Sequence, residues 1–560
     1  MAKKPTTPKQ NKATQASSSG LSVNFDKYAP HISIGVMILF LIIMFMIRLN
    51  FKEMSFERDE GTYSYMGKLL TEGKKPYSYF YEMKPPALYY MYGLIVAIFG
   101  TTVAGLHVGF FVVNFITCLF LFLWVRRMFN PAAGAIAAVA YSIISTAPHA
   151  SGLTIQSEHL LCLFMVPGLW LLWEAFSQNK TWQWLTSGAL LSWALLIKQN
   201  TLFFIAFAGL AIILHHFLVK KEKGIASLWR PVLLFGAGVI VPVLLVLGIL
   251  VANGSFKDFI FFIYEYPKTQ YLSSIEFSRG MGYMHNRYEA IKTNYEIIWY
   301  LGFAGLVLVW VFSKNMFLKI SLTLLLIFSF LSVAPGLRFY GHYWIHFLPA
   351  VAVLFATAIY IITEKLKEKG VLKNPQFIAI LVLCVVFFIN LNTNKSYYFI
   401  TDPETVVRGV YGTNPFVESR KVADYLNNKM QKNDQLVVFG SEPQIYMYTG
   451  KDAITRHFYT GNLVQLHPIV KEWSAEFKQD FMKAQPKYVV WVQHPYSWSL
   501  PKGASTEFID WGWDTIKKGY HPIGYADIIS HNQTEYVWDN EALNYRPKGN
   551  EYLMVLERNN

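Results

Sequence analysis

Acidic and basic side chains recur at the edges of otherwise apolar runs. They are Asp59-Glu60, Glu82, Lys84, Glu158, Lys198, Arg338, and His342 with His346 four residues further on. A carboxylate within hydrogen-bond reach can take the proton of a hydroxyl or amide. Asp59 is the first choice for that task and Glu158 the second. Cations held against a departing phosphate stabilise the charge that develops on it, most strongly where water is excluded. Lys198 and Arg338 suit that role, the arginine through bidentate contact with phosphate oxygens. The i, i+4 histidines have a metal-binding spacing. Glu60, Glu82, Glu158 and His342 are the candidates for a divalent cation, and that site stays open.

Each residue also has a plainer reading. Asp59 and Glu158 suit helix caps. Lys198 suits a helix end from which it snorkels. His342 and His346 lie among Phe339, Tyr340, Tyr343, Trp344 and Phe347 and suit an interfacial aromatic belt. Gln156, Gln199 and Asn200 suit hydrogen bonding between helices. Convergence favours the chemical reading, because these groups all fall in segments assigned to one side of a membrane.

The elements that must hold them are membrane spans. The chain has 560 residues, 53% hydrophobic, 17% aromatic and only 15% charged, against about 25% charged in soluble domains. A spanning helix needs roughly 20 apolar residues. Runs at 31–47, 103–125, 132–148, 158–176, 182–197, 200–219, 229–252, 296–312, 317–334, 343–363 and 376–393 predict about eleven transmembrane helices. The short, Tyr-rich 87–100 segment reads as an interfacial helix, with Tyr89, Tyr90 and Tyr92 against the membrane. Residues 1–30 read as a disordered basic tail. Lys and Arg gather in alternate short loops, which places the N-terminus inside and loop 50–86 outside.

Residues 395–560 change composition and read as a separate outer α/β domain, with strands at 434–439, 487–492 and 552–556 and helices at 418–430 and 469–482. This domain holds 18 Lys+Arg against 19 Asp+Glu, leaving 32 against 17 in residues 1–394. The net charge of +14 is therefore an orientation signal rather than a nucleic-acid footprint. Cys118, Cys162 and Cys384 lie in apolar runs and supply no disulfide framework. Polar groups at an outer surface suit a substrate with a lipid tail and a polar head. A transporter or lipid flippase, the alternative reading, concentrates them near the midplane.

Asp59-Glu60 after a first span, Lys84-Pro85-Pro86, Glu158 opening a later span and the Lys198-Gln199 step together resemble the GT-C membrane glycosyltransferases. The nearest resemblance is to the dolichyl-phosphate-mannose–protein mannosyltransferase superfamily with its aminoarabinose-transferase-like members. It covers residues 31 to about 350, and the outer α/β domain is also similar. The resemblance implies transfer of a sugar, with inversion, from a polyprenyl-phosphate donor to a protein, lipid or glycan acceptor on the outer face of a membrane. A bacterial inner membrane is the expected location. It implies Asp59 as catalytic acid residue, Glu60 as its acidic neighbour, Glu158 as second outer acid, and Lys84, Lys198 and Arg338 at the donor phosphate. Met83 stands directly before Lys84, where the aminoarabinose-type pattern has a metal-binding glutamate, and Glu82 lies one position further back. Metal and acceptor therefore stay open.

Overall fold

The computed structural model describes residues 25–221, 224–270 and 275–559. The tail expected over 1–30 lies outside this range up to residue 24. All eleven apolar runs are helical. They include α1 (Ala29–Leu49), α4 (Val103–Met128), α5 (Pro131–Ile144), α6 (Ser157–Gln178), α7 (Thr181–Ile197), α8 (Leu202–Leu218) and α9 (Trp229–Ala252). Helices Glu296–Phe312, Met316–Val333, Leu348–Glu368 and Pro375–Thr393 follow. Between α1 and α4 come α2 (Arg58–Thr71) and α3 (Ala87–Phe99).

Eight helices among the described residues are long and apolar enough to cross a membrane, or nine if the bent pair Phe277–Lys292 and Glu296–Phe312 counts as one span. The expected eleven add to these the three shorter apolar helices α5, α7 and Glu296–Phe312. Helices α5, α7 and Glu296–Phe312 have only 14, 17 and 17 residues. At 1.5 Å per residue they fall short of a hydrocarbon core about 30 Å thick. The protein is an integral, multi-pass membrane protein. Short α5 is tolerated because Ala132–Ile144 are all buried, packed among α1, α4 and helices Leu348–Glu368 and Pro375–Thr393. Its small residues let the helix backbones approach closely.

One buried cation ties helix ends together near the site. Arg48, 2% exposed, donates to Gly152 O (3.1 Å), Ser142 O (3.3 Å) and Ser145 Oγ (2.8 Å). A charge at that depth persists only with such partners. It joins α1 to the end of α5 and to loop 145–156, which runs on to the site.

The C-terminal region carries a five-stranded sheet in the order β1-β2-β5-β3-β4. The strands are β1 (Leu436–Phe439), β2 (Tyr488–Gln493), β3 (Tyr520–Ser530), β4 (Gln533–Trp538) and β5 (Glu551–Arg558). β1 and β2 are parallel, with Val438 opposite Val490, and the remaining pairs are antiparallel. The β3–β4 hairpin escapes the sequence pattern because Pro522 and Gly524 interrupt β3 and a register shift lies between them.

The apolar contacts do not divide at residue 394. Tyr398, Val407 and Phe416 belong to the core of the membrane helices. Tyr63, Tyr65, Tyr89 and Tyr92 of α2 and α3 share a second core with the sheet. Tyr89 and Tyr92 are fully buried while Tyr90 is 45% exposed, so two of the three expected interfacial tyrosines are core anchors instead. Gly61 makes the docking of α2 possible. A Cβ there would stand 2.5 Å from Gln444 Cβ, on the short helix Gln444–Thr449.

Candidate active site

The acidic pair after α1 is split by helix geometry. Glu57, not Asp59, is the N-cap of α2, and Glu57 and Glu60 form a capping box. The Glu60 amide donates to Glu57 Oε1 at 2.9 Å, and the Glu57 amide to Glu60 Oε2 at 2.7 Å. This satisfies donors that a helix start otherwise leaves bare. Glu60 also accepts from the Ile155 amide and lies 3.3 Å from His107 Nε2, with no exposure. Asp59 stands at the second helical position with its side chain 38% exposed. The helix cap that Asp59 suits in the sequence is thus supplied two residues earlier, which leaves its carboxylate facing open space.

That space is a cavity of about 280 Å³ lined by Asp59, Tyr63, Glu82, Lys84, Arg338 and His342 on the membrane side. His342 Nε2 is 4.0 Å from Asp59 Oδ2. Burial holds the His342 imidazole below its ordinary value despite the nearby carboxylates Glu158 and Asp59. Burial, reinforced by the charge of Asp59, likewise raises the Glu82 carboxyl, against the opposing pull of Lys84. Lys84 Nζ lies 3.8 Å from Glu82 Oε2. Its carbonyl accepts from Tyr77 OH (2.7 Å) and Tyr89 OH (3.0 Å), and Pro85-Pro86 start α3 directly after it. The lysine is thus set on a loop pinned by two buried rings.

Lys198 follows α7 and is paired with fully buried Glu158 at the start of α6. Its ammonium sits 4.2 Å from the Tyr343 ring centre. Neighbouring Gln199 donates to Met83 O at 2.9 Å, so the Lys198-Gln199 step grips the Lys84 loop. Glu158 is therefore not a second open carboxylate; it is sealed behind Lys198. Arg338 donates to Tyr340 OH at 3.2 Å. It lies between Leu337 (φ 52°) and Phe339 (φ 45°), both in the left-handed region, where strain of about 1–3 kcal/mol per residue is characteristic of functional loops. His342 begins no helix face with His346. The segment Gly341–Trp344 is a tight 3₁₀ turn, and His346 is fully buried beside Phe204.

A second cavity of about 290 Å³ adjoins the first. Met83, Lys84 and Tyr343 line both. The second also holds Lys198 and Gln199, then turns apolar at Leu202, Phe203 and Ile263. Polar pocket, cations and apolar groove follow one another in that order.

The four metal candidates do not converge. Glu60 is taken up by the capping box and His107, Glu158 by Lys198, and Glu82 by Lys84. Among the described residues no group of three or more His, Cys, Asp or Glu side chains could hold a metal ion. These residues do not fit a resident cation.

The opposite wall of the first cavity was not legible in the sequence. It comes from the C-terminal region, through Ser441, Tyr459, Asn462, Gln465 and Trp498. Arg58 clamps it to α2, donating to Ser441 O (2.8 Å) and to Glu442 Oε1 (3.0 Å). Trp511 and Trp513, elsewhere in the same region, pack inward on Phe481 and Trp491.

Residues 83–248 match the family model described as dolichyl-phosphate-mannose-protein mannosyltransferase. Among solved structures, ArnT from Cupriavidus metallidurans in the apo state aligns with TM-score 0.58 at 13% identity, covering 94% of this chain and 98% of that one. The same protein bound to undecaprenyl phosphate aligns with TM-score 0.56 at 12% identity, over 93% and 97%. The chain has the GT-C fold of membrane glycosyltransferases. The archaeal oligosaccharyltransferase AglB from Archaeoglobus fulgidus, in complex with an inhibitory peptide and a dolichol-phosphate, aligns with TM-score 0.50 at 13% identity, over 92% of this chain and 75% of that one. No curated protein matches significantly.

Proposed function

We propose that the protein is an inverting glycosyltransferase that moves a sugar from a polyprenyl-phosphate donor to an acceptor on the outer face of a membrane. The observation that carries this reading is the continuity of the two cavities. An open carboxylate, Asp59, faces a polar pocket that leads past Lys84 and Lys198 into an apolar groove beside α8. A lipid tail fits the groove, its phosphate fits the cations, and the sugar then lies before Asp59. The family match over 83–248 and the undecaprenyl phosphate bound by the Cupriavidus relative support it.

In the proposed step Asp59 takes the proton of the acceptor hydroxyl or amide. The freed oxygen or nitrogen attacks the anomeric carbon from the side opposite the phosphate. The bond from that carbon to the phosphate oxygen breaks through an oxocarbenium-like state, and polyprenyl phosphate leaves with added negative charge. Lys84, Lys198 and Arg338 meet that charge in a site where partial burial strengthens the attraction. Glu158 acts through Lys198 by holding its ammonium in place. Inversion follows because a single displacement needs only one open carboxylate on the attacking side.

The test is transfer from a radiolabelled polyprenyl-phosphate sugar in membranes containing wild type or Asp59→Asn. A general base contributes typically 10²–10⁴-fold, and a loss of that size with normal membrane insertion is expected. Equal transfer by both would remove Asp59 from the mechanism. Movement of the lipid across the bilayer without transfer would replace this reading with a flippase.

A further inference from the structure

Beside the first cavity lies a third, of about 440 Å³. Its walls are Tyr283, Asn286 and Arg287 of helix Phe277–Lys292, and Arg338, Phe339 and Tyr340 of the loop after helix Met316–Val333. Close packing sets these walls. A Cβ at Gly280 would stand 2.7 Å from Leu337 Cβ, and one at Gly341 would run into His149 O. Arg338 and Tyr340 also line the first cavity. Among the described residues, the third cavity shares no lining side chain with the second. The pocket before Asp59 therefore adjoins two separate chambers. One leads past Lys84 and Lys198 to the apolar groove, and the other is a recess lined by arginine.

The recess carries charge of one sign. Two guanidiniums line it and, among the described residues, no acidic side chain does. Arg287 is half-buried, and its Nη1 donates to His149 O at a long 3.5 Å. Among the described residues it has no carboxylate partner. A cation partly stripped of water is costly without a counter-charge, which a ligand would supply. The guanidinium fork matches two oxygens of a phosphate or carboxylate. Asn286, Tyr283 and Tyr340 add groups that pair with hydroxyls in either sense. We propose that this recess is the acceptor subsite, and that it takes an acceptor whose reacting hydroxyl is flanked by a phosphate or carboxylate held by Arg287 and Arg338. The proposal rests on the glycosyltransferase reading. A single displacement needs acceptor and leaving phosphate on opposite faces of the anomeric carbon, and the two chambers supply the two approaches. Arg338 stands on the wall shared with the first cavity, whereas Arg287 lines the recess alone.

The experiment uses the full chain in detergent, with farnesyl phosphate saturating the donor cations so that a second anion is read by itself. The thermal midpoint is titrated with glycerol 1-phosphate, glycerate and glycerol, since a ligand of the native state raises it according to affinity. Wild type is expected to show a saturable rise with an anion and none with glycerol, and the stronger anion decides between phosphate and carboxylate. Arg287→Gln is expected to need about tenfold more anion, the loss of one charge-assisted contact. Arg287→Lys, which keeps the charge without the fork, should fall between. In membranes, the same anion is expected to inhibit sugar transfer from a labelled polyprenyl-phosphate donor, about tenfold less strongly in Arg287→Gln, with the KM for donor unchanged. No saturable response in wild type, or an equal response in Arg287→Gln, overturns the anion site. Relief of the inhibition by excess donor places the anion at the donor phosphate and overturns the acceptor role, leaving the transfer reaction in place. Saturable binding without transfer of any sugar overturns the acceptor role together with the glycosyltransferase reading.

Discussion

Asp59 and Glu60 are neighbours in the chain with opposite fates. One helical step turns Asp59 outward and Glu60 into the body of the protein. Glu60→Ala is therefore expected to destabilise by about 1–3 kcal/mol, because it leaves the Glu57 and Ile155 amides unpaired in a buried place. A lowered thermal midpoint in detergent would show it, whereas Asp59→Asn should leave the midpoint unchanged and lose transfer. The Lys198–Glu158 pair makes a second residue-scale prediction. Removing one partner of a buried pair costs about 3–5 kcal/mol because the other charge is left alone. Lys198→Met and Glu158→Gln should each lower the midpoint, and the double variant should recover part of the loss. Additive losses would show that the two side chains do not depend on each other.

At the scale of elements, loop 50–86 is held between the membrane helices and the sheet. Gly61→Val should drive α2 from helix Gln444–Thr449, at a cost of about 1–3 kcal/mol for overpacking, and expose the C-terminal region to limited proteolysis. A second latch joins the same loop to that region. Tyr81 OH lies 2.6 Å from His457 Nδ1, and His457 Nε2 lies 3.1 Å from Glu476 Oε2. Arg456 and Asp480 also face this histidine. Burial depresses His457 below its ordinary value near 6.5, outweighing the pull of Glu476. A depressed folded pKa means the unfolded chain binds the proton more readily. The stabilisation is therefore complete above about pH 6.5 and is lost as pH falls below it. Glu476, held down to about 2 first by its hydrogen bond with His457, keeps its charge throughout that window. The wild-type thermal midpoint should fall between pH 7 and pH 5, and His457→Ala should flatten that dependence. An equal slope in both would place the pH sensitivity elsewhere.

For the whole molecule, the two adjoining cavities predict how donor length acts. Each buried CH₂ of the tail is worth about 0.8 kcal/mol, gained equally in ground and transition states. Shortening the polyprenyl chain should therefore raise KM with little change in kcat. Phe203→Ser, on the wall of the apolar groove, should shrink the difference between long and short donors. A fall in kcat alone would mean that the tail does not lie there.

The amino-acid sequence by itself determined the membrane class, the helical segments, the α/β character of the C-terminal region and several of the charged residues that line the two cavities. Those features are written in local apolar periodicity and in rare charges among apolar runs, and both survive without knowledge of long-range contacts. Three of the expected spans, α5, α7 and Glu296–Phe312, have only 14, 17 and 17 residues, and packing against longer neighbours holds them in place. The β3–β4 hairpin was hidden by Pro522 and Gly524. Only the tertiary structure decided which carboxylate stays open. Whether Asp59, Glu60 or Glu158 faces the cavity depends on partners distant in sequence: Ile155 and His107 for Glu60, Lys198 for Glu158. The uncharged wall formed by Ser441, Asn462, Gln465 and Trp498 is likewise a product of packing, since loops far apart in the chain meet there only once the sheet has docked on α2.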